Sequence, residues 1–183
     1  ANTPTLPGVS VEQGLSRVYP SFESYAHVVG YVGPVSDSDL KRGNENNPLL
    51  KIPRFQVGKV GIEKHYEDVL RGSAGIMKVE VNALGRVMRN LDRKEGKPGN
   101  NIQLTVDNEL QSYVQARLGS ESSSAVVMNC KTGEILAIAS SPSYDPNKFV
   151  KGISYSDFNE LRDNEFRPLA SKTVQDAYPP GST

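Results

Sequence analysis

The chain of 183 residues is poor in the residue types that most often mark a site, because it has no tryptophan, one cysteine and two histidines. A single cysteine, Cys130, cannot form an internal disulfide, so cysteine usage reveals no redox compartment. The histidines, His27 and His65, lie far apart, and neither an HExxH nor a CxxC pair occurs. The sequence therefore predicts no metal site and no cofactor.

The chain also lacks an excess of positive or negative charge, since 21 basic residues balance 21 acidic ones. Without a cationic field, the protein is not expected to bind nucleic acid. No apolar run is long enough to cross a membrane, and no signal peptide opens the chain. Hydrophobic residues make up 37% and charged residues 23%, which is ordinary for a globular protein.

The N-terminal half predicts mainly strands. In residues 10–33, valine and tyrosine alternate with small or polar residues, which indicates strands. The polar stretch 36–48 lacks periodicity and predicts a loop. Clean alternation in residues 75–91, interrupted by the turn "NALG", predicts a β-hairpin. The charged stretch 92–101 contains glycine and proline, and we expect a domain boundary near Asn101.

The stretch "GIEKHYEDVLRG", residues 61–72, predicts the clearest helix of this half. Its apolar residues form one stripe at helical spacing: Ile62, Tyr66, Val69 and Leu70. Glu67 and Arg71 stand four residues apart in the order that favours an ion pair. Gly72 follows where a left-handed C-terminal cap favours glycine. His65 lies beside the stripe and is expected to be a partly exposed helix residue.

The C-terminal half has a different pattern. "LTVDNELQSYVQARLG" predicts a helix with Asp107 as its N-cap. The apolar runs 125–128 and 135–139 flank a turn ending in Gly133 and predict a β-hairpin buried on both faces. "SYSDFNELRD" predicts a short helix that begins near Ser154 or Ser156.

The chain closes on "QDAYPPGST", a pattern typical of a tight turn that delivers Ser182 to the start of a helix. The first N–H groups of a helix lack intrahelical partners, and the positive end of its dipole lies there. A serine at that place can attack a carbonyl while its own N–H helps to hold the oxyanion, provided that a base takes its proton. A lysine one turn on, at position 185 and thus beyond Thr183, would supply that base. Taken alone, a serine after Pro-Pro-Gly is most often a turn or helix-cap residue and is almost never catalytic.

Four blocks of sequence, taken in order, resemble one family. They are "LPGVSVEQGLSRVYPSFESYAHVVGYVG", "GKVGIEKHYEDVLRGSAGIMKVEVNALGRV", "KTGEILAIASSPSYDPNKFVKGIS" and "RPLASKTVQDAYPPGST". Together they resemble the class B penicillin-binding proteins of the elongation type, whose S-x-x-K motif provides the nucleophile and its base. Asn129-Cys130 departs from the Asp-Pro common in the family. The sequence "KTG" at residues 131–133 precedes Ser182, whereas the family's K-[ST]-G motif lies downstream of the nucleophile. It is therefore interpreted as turn chemistry with Gly133.

The resemblance implies an α+β fold in two parts. Residues 1–101 would be a strand-rich pedestal domain of the dimerisation type. Residues 102–183 would open a transpeptidase domain with its first helix and β-hairpin, truncated after the nucleophile, and the family's N-terminal membrane helix is missing. Ser182 would be the acylated serine, with its general-base lysine expected beyond Thr183. A structural role in the pedestal is implied for Gly61, Glu63, Tyr66, Glu67, Arg71 and Gly72, and we expect Glu63 and Arg71 to pair.

Three functions compete. The first is a peptidoglycan D,D-transpeptidase on the periplasmic side of the inner membrane, with stem peptides as substrates and β-lactams as inhibitors. The second is a non-catalytic pedestal module that binds a membrane glycosyltransferase or a cell-shape scaffold protein. The third, a serine β-lactamase or β-lactam sensor, shares S-x-x-K but is not expected to carry the block at residues 58–75.

Overall fold

The computed structural model describes residues 16–42, 48–52, 55–83, 85 and 87–177. The helices are α1 (Ala26–Val29), α2 (Asp37–Arg42), α3 (Gly61–His65), α4 (Glu67–Arg71), α5 (Asn108–Leu118), α6 (Asn147–Val150) and α7 (Tyr155–Asp163), with 3₁₀ turns at Phe22–Tyr25 and Pro48–Lys51. The strands are β1 (Val32–Pro34), β2 (Gln56–Gly58), β3 (Ile76–Val81), β4 (Val87–Lys94), β5 (Ser123–Met128) and β6 (Ile135–Ser141). They form antiparallel pairs β1–β2, β3–β4 and β5–β6, which confirms the predicted α+β class.

The strand prediction for residues 10–33 is wrong over most of the part that the structure describes. The 3₁₀ turn and α1 occupy residues 22–29, and only Val32–Pro34 forms a strand, paired with β2. Ala26 is completely buried against Tyr144 and Phe149, so tertiary packing outweighs the local β preference of valine and tyrosine. Gly30, with φ 79°, ends α1 where an added Cβ would lie 2.0 Å from the Val60 carbonyl oxygen.

Part of the predicted loop 36–48 is helical instead. Helix α2 occupies Asp37–Arg42, whereas residues 43–47 lie outside the described part of the chain. The Ser36 N–H donates to the Asp39 carboxylate at 2.9 Å, which is one half of a capping box. The S-x-x-D spacing carried this start signal in a segment whose polarity had indicated a loop.

The helix predicted over residues 61–72 is interrupted at Tyr66, which has φ −107° and ψ 24°, and it forms α3 and α4. The predicted apolar stripe is not its buried face, because Tyr66 and Val69 are 43% and 41% exposed while Glu63 is only 4% exposed. Gly61, at φ 62°, allows α3 to approach α1, since a Cβ there would lie 2.7 Å from the Val28 carbonyl oxygen.

Gly72 has the positive φ expected of a cap, but its ψ of −152° is not that of the left-handed helix. A Cβ on Gly72 would lie 2.3 Å from the Lys97 carbonyl oxygen. The backbone of Ser73, the next residue, pairs with that of Lys97. Glycine is therefore required here because two backbone segments approach closely, and not because of a Schellman-type ending.

The β3–β4 hairpin confirms the prediction for residues 75–91. Its register runs from Ile76 opposite Lys94 to Val81 opposite Val87, with irregularities after Lys78 and Glu80. All its apolar side chains except Val79 are at least half exposed.

Helix α5 begins as predicted, because the Asp107 carboxylate accepts the N–H of Leu110 at 2.8 Å. Its fully buried residue is polar, Gln111. The Gln111 amide pairs with the backbone of Ile138 in β6, donating to its oxygen at 2.9 Å and accepting from its nitrogen at 2.8 Å. A polar side chain thus attaches the helix to the sheet.

The β5–β6 hairpin confirms the predicted pairing, but the expectation of burial on both faces is wrong for β5. Burial alternates along β5, leaving Val126 and Met128 51% and 57% exposed, whereas Ala137 and Ala139 in β6 are buried. Among the described strands, β5 has one hydrogen-bonded neighbour, β6. Gly133, at φ 78°, completes the "KTG" turn, and its N–H donates to the Asn129 oxygen at 2.8 Å.

Two buried clusters join the first described segment to the C-terminal half. One contains Tyr19, Val32 and Val150, and the other contains Ala26, Tyr144 and Phe149. Tyr31 connects them and stacks on Phe149 with ring centroids 4.2 Å apart. Residues 16–34 therefore share their core with residues beyond the predicted boundary at Asn101. Over the described ranges, no helix combines the length and hydropathy needed to cross a membrane.

Replacing Asp107 by alanine is expected to destabilise α5 by about 1 kcal/mol, since the Leu110 N–H loses its side-chain acceptor. Asp107→Asn is the matched control, because it keeps an acceptor oxygen and should cost much less. Urea denaturation measures both, and equal losses for the two variants would contradict the capping role.

Candidate functional site

The predicted nucleophile, Ser182, and its neighbour Thr183 lie outside the described residues, which end at residue 177. The lysine expected beyond Thr183 therefore stays a prediction, as does the role of Ser182. The structure does describe the residues that lead to them. We call residues 164–177 the approach segment. This segment and the surface that anchors it are the part of the candidate site that can be built from contacts.

The approach segment is held against β6 by buried groups. Pro168 is fully buried, and Ser171 and Lys172 are 9% and 4% exposed. The Lys172 N–H donates to Ser140 Oγ at 3.1 Å, and Ser140 belongs to β6. The Ala170 N–H donates to the Arg167 oxygen at 3.0 Å, which forms a turn just before this anchor. Residues 168–172 of the approach segment are therefore fixed to the sheet.

Lys172 is an anchor of the approach segment. Burial lowers the pKa of Lys172, the Asp176 carboxylate opposes this, and Arg167 lowers it further. The Lys172 ammonium nevertheless donates to the Phe166 carbonyl oxygen at 2.7 Å, which fixes its position. Lys172 also precedes Ser182 in the chain, so it does not stand at the lysine position of S-x-x-K.

The first described segment lies directly on this C-terminal half and is attached through its backbone. Side chains from α5, from α6 and from the loop after β6 donate to its carbonyl oxygens, which would otherwise need water. The bonds are Gln111 Nε2 to Ser24 O (2.6 Å), Ser143 Oγ to Glu23 O (2.9 Å), Tyr144 OH to Ala26 O (3.2 Å) and Asn147 Nδ2 to Tyr19 O (2.9 Å). The Tyr19 N–H completes the pair by donating to Asn147 Oδ1 at 2.9 Å.

His27, on α1, contacts the approach segment itself. Its Nε2 lies 2.8 Å from the Pro168 carbonyl oxygen, and its Nδ1 lies 3.5 Å from Ser143 Oγ. Its ring meets Tyr144 edge-on, with centroids 5.3 Å apart. One side chain of the N-terminal half therefore joins the loop after β6 to the chain that leads to Ser182.

Glu63 is the centre of a second network, inside the N-terminal half. Its carboxylate binds the Arg17 guanidinium through both oxygens, at 2.8 and 3.1 Å, and accepts from the Tyr19 hydroxyl at 3.2 Å. Tyr19 OH in turn accepts the Val32 N–H at 2.9 Å. Burial, then the Glu63 charge, raises the pKa of Tyr19, which therefore keeps its proton for this bond. A cavity of about 320 Å³ opens beside the network.

The predicted pairing of Glu63 with Arg71 is wrong. Arg71 instead binds Asp68 at 2.5 Å and Glu67 at 3.7 Å, and the second contact confirms the predicted i,i+4 pair. Because the helix breaks at Tyr66, Glu63 faces residues 16–19 while Arg71 faces its own turn.

The remaining residues predicted to have a structural role lie at backbone contacts or on the surface. Gly61 and Gly72 lie at the close backbone approaches described above, and Tyr66 lies exposed at the break between α3 and α4. His65 is exposed as expected and meets the Tyr66 ring edge-on at 4.8 Å. Within the described ranges, no three His, Cys, Asp or Glu side chains are grouped to hold a metal.

Sequence reasoning missed the polar residues that make the junction. His27, Gln111 and Asn147 each stand in a stretch whose neighbours are apolar or turn-forming, in "AHVVG", "LQSYV" and "DPNKFV". The available signal in the sequence was a polar residue among apolar or turn-forming ones. A polar side chain that is buried with such neighbours needs a hydrogen-bond partner. The identity of each partner depends on contacts at least 27 residues away in sequence.

Glu63→Ala is expected to lower the free energy of unfolding by about 2 kcal/mol, because it leaves Arg17 and Tyr19 without their acceptor. The control is Asp68→Ala, which breaks the ion pair of a 92% exposed carboxylate and should cost less than about 0.5 kcal/mol. Denaturant unfolding of both variants tests this, and a loss for Glu63→Ala as small as that for Asp68→Ala would contradict it.

Acidification is expected to destabilise the fold through His27. Burial lowers the pKa of His27, the bond to Pro168 opposes this, and the facing charge of Lys172 lowers it further. The unfolded chain, with an imidazole pKa of about 6.5, then binds the proton first, so stability falls as the pH drops below about 6.5. Melting temperatures between about pH 7.5 and 5 measure the slope, and His27→Gln should reduce it. An unchanged slope in His27→Gln would exclude this contribution.

Comparison with known proteins gives two family matches along the chain. Residues 1–104 match the family described as "Penicillin-binding Protein dimerisation domain", and residues 123–183 match "Penicillin binding protein transpeptidase domain". The peptidoglycan D,D-transpeptidase MrdA of Acinetobacter baumannii is 42% identical over 97% of this chain and 26% of its own length. MrdA of Escherichia coli K12 is 42% identical over 97% of this chain and 28% of its own length. The chain thus spans about a quarter of the length of these curated relatives.

Solved structures agree with the sequence relatives. Pseudomonas aeruginosa PBP2 in complex with WCK 5153 superposes with a TM-score of 0.75 at 38% identity, covering 92% of this chain and 33% of that one. The complex between PBP2 and MreC from Helicobacter pylori gives a TM-score of 0.79 at 36% identity, covering 91% of this chain and 31% of that one. Since the dimerisation-domain family matches more than half of the chain, the chain belongs to the penicillin-binding proteins, as its motifs had indicated, and its relatives are MrdA and PBP2 proteins.

Proposed function

We propose that the full-length protein is a serine-type peptidoglycan D,D-transpeptidase that cross-links stem peptides during cell elongation. One observation carries this proposal. The chain is 42% identical, over 97% of its length, to relatives named peptidoglycan D,D-transpeptidase, and its transpeptidase-domain match runs through Ser182 to Thr183. The closing residues, "YPPGST", have the composition of a tight turn leading into a nucleophile.

In this proposal, Ser182 is the nucleophile. Its Oγ attacks the carbonyl carbon of the penultimate D-alanine of a stem peptide, and the bond to the terminal D-alanine breaks. The hydroxyl proton passes to a lysine one turn further along the helix, which is expected at position 185, and the leaving amine is protonated. The amine of a second stem peptide then attacks the acyl-serine, forms the cross-link and regenerates the hydroxyl. β-Lactams are expected to acylate the same oxygen.

The geometry of the approach segment supports this role. Nucleophilic catalysis requires the reacting oxygen to be held in place, because small displacements of a reacting group cost rate. The approach segment is anchored to β6 by Lys172 and Ser140 and to α1 by His27 and Pro168. Turn hydrogen bonds at Ala170 and Gln175 add rigidity along the same path.

The two domains of the proposal are a pedestal over residues 1–101 and the start of the transpeptidase domain over residues 102–183. The N-terminal domain would stand on the periplasmic side of the inner membrane. It would rely on Gly61, Glu63, Tyr66, Arg71 and Gly72 for its shape. The close approaches at the two glycines and the buried carboxylate of Glu63 support that structural role.

A second role, as a docking module, is favoured by one comparison. The Helicobacter pylori relative was solved as a complex of PBP2 with MreC, and the superposition extends over 91% of this chain. We therefore propose that this protein also binds a cell-shape scaffold protein. Regulation of a membrane glycosyltransferase is the further partnership that the family resemblance implies. The serine β-lactamase alternative ranks last because the dimerisation-domain match covers residues 1–104.

Labelling of the full-length protein with a fluorescent penicillin tests the proposed function. Stable covalent label in the wild type, and none in Ser182→Ala, is expected, because only the hydroxyl can form the acyl-enzyme. Cys130→Ser is the control, since Cys130 is exposed in the β5–β6 turn and should label like the wild type. An unlabelled wild type favours the docking module alone, and rapid loss of the label favours a β-lactamase.

A further inference from the structure

His27 holds the approach segment through a bond whose direction is set by chemistry. A carbonyl oxygen only accepts, so the Nε2 of His27, 2.8 Å from the Pro168 oxygen, must carry the proton. The other nitrogen, Nδ1, faces Ser143 Oγ at 3.5 Å, the limit of a hydrogen bond. The Ser143 hydroxyl already donates to the Glu23 oxygen at 2.9 Å. The short contact of the ring is therefore the one to Pro168.

The orientation of the His27 ring is imposed by its surroundings. Tyr144, only 3% exposed, meets the ring edge-on, and its hydroxyl donates to Ala26, the residue before His27. Ala26 itself is completely buried. Both the backbone and the ring of His27 are thus held by the same tyrosine, and the Nε2–H has little freedom to point elsewhere.

The acceptor of this bond, the Pro168 carbonyl oxygen, lies four residues before Lys172, where the approach segment is attached to β6. Pro168 is fully buried and lies within the turn from Arg167 to Ala170, just ahead of the Lys172 anchor on β6. These contacts act together, since the Pro168 carbonyl is restrained from α1 while Lys172 is restrained from the sheet. The chain that leaves Lys172 toward Ser182 therefore starts from a frame to which both halves of the protein contribute.

We propose that His27 is a positioning residue for the reaction at Ser182, because it holds the Pro168 carbonyl from the N-terminal half and so sets the path of the approach segment. This inference rests on the proposed transpeptidase function. It assigns to the N-terminal half a direct part in the acylation rate, through one hydrogen bond and not through partner binding.

The test compares the rate constant for acylation by a fluorescent penicillin in full-length wild type, His27→Phe and His27→Gln. Phenylalanine keeps a ring against Tyr144 but has no donor, whereas glutamine offers an N–H near the position of Nε2. We expect His27→Phe to slow acylation by on the order of tenfold to a hundredfold, and His27→Gln to restore it to within about threefold of wild type. The matched control, His65→Phe, changes an exposed histidine and should acylate at the wild-type rate.

The readout separates positioning from simple destabilisation. Each rate constant is normalised by the final labelled fraction, so that loss of folded protein lowers the amplitude and not the rate. If His27→Phe does not accumulate as folded protein, His27→Asn replaces it, because its amide is too short to reach the Pro168 oxygen and the same slowing is expected. A wild-type rate constant in the donor-free variant, or a His27→Gln as slow as that variant, overturns the inference. A wild type that takes no label at all overturns the proposed function itself.

Discussion

The docking of residues 16–34 onto the C-terminal half is the constraint on which the rest of the described structure depends. Ala26 and Tyr19 are buried against residues of that half, and so the hydrophobic core is shared across the chain. Around this core, backbone carbonyls of the short 3₁₀ turn and of α1 accept hydrogen bonds from side chains that lie 87 to 120 residues away in sequence. Helices this short are marginal alone, and packing with external bonds makes them persist.

The same docking also brings Arg17 and Tyr19 to the buried carboxylate of Glu63. Glu63 tolerates burial because Arg17 meets it with two bonds and Tyr19 adds a third, while Tyr19 also fixes the start of β1. A buried carboxylate without such partners would be strongly unfavourable. Because the Tyr19 backbone is bound by Asn147 of α6, the network of the N-terminal half is continuous with the junction that holds the approach segment. His27 lies further along the same segment and makes the contact to Pro168.

Local signals in the sequence predicted the elements that local physics determines. The Asp107 cap, the hairpins at residues 76–94 and 123–141, the pair of Glu67 with Arg71 and the glycine turn at Gly133 all follow from spacings of a few residues. Prediction was wrong mainly where distant contacts decide, although the local Ser36–Asp39 start of α2 was also overlooked. Residues 22–29 became helical, the helix of residues 61–72 broke at Tyr66, and β5 left one face exposed. The same holds for the candidate site. The sequence indicated the motif that ends at Ser182, but it did not indicate that His27, Ser140 and Pro168 anchor the approach segment.

By itself, the sequence determined the family, the α+β class, the two hairpins at residues 76–94 and 123–141 and the residue proposed as the nucleophile, because motifs, caps and turns are encoded within short windows. Only the tertiary structure decided that Glu63 pairs with Arg17 instead of Arg71, that Gln111 bonds to the backbone of β6, and that α1 lies against the approach segment. The physical reason is that a buried polar group must be satisfied by whichever partner the fold brings within about 3 Å. That partner is set by packing between segments far apart in the chain, which no local pattern records.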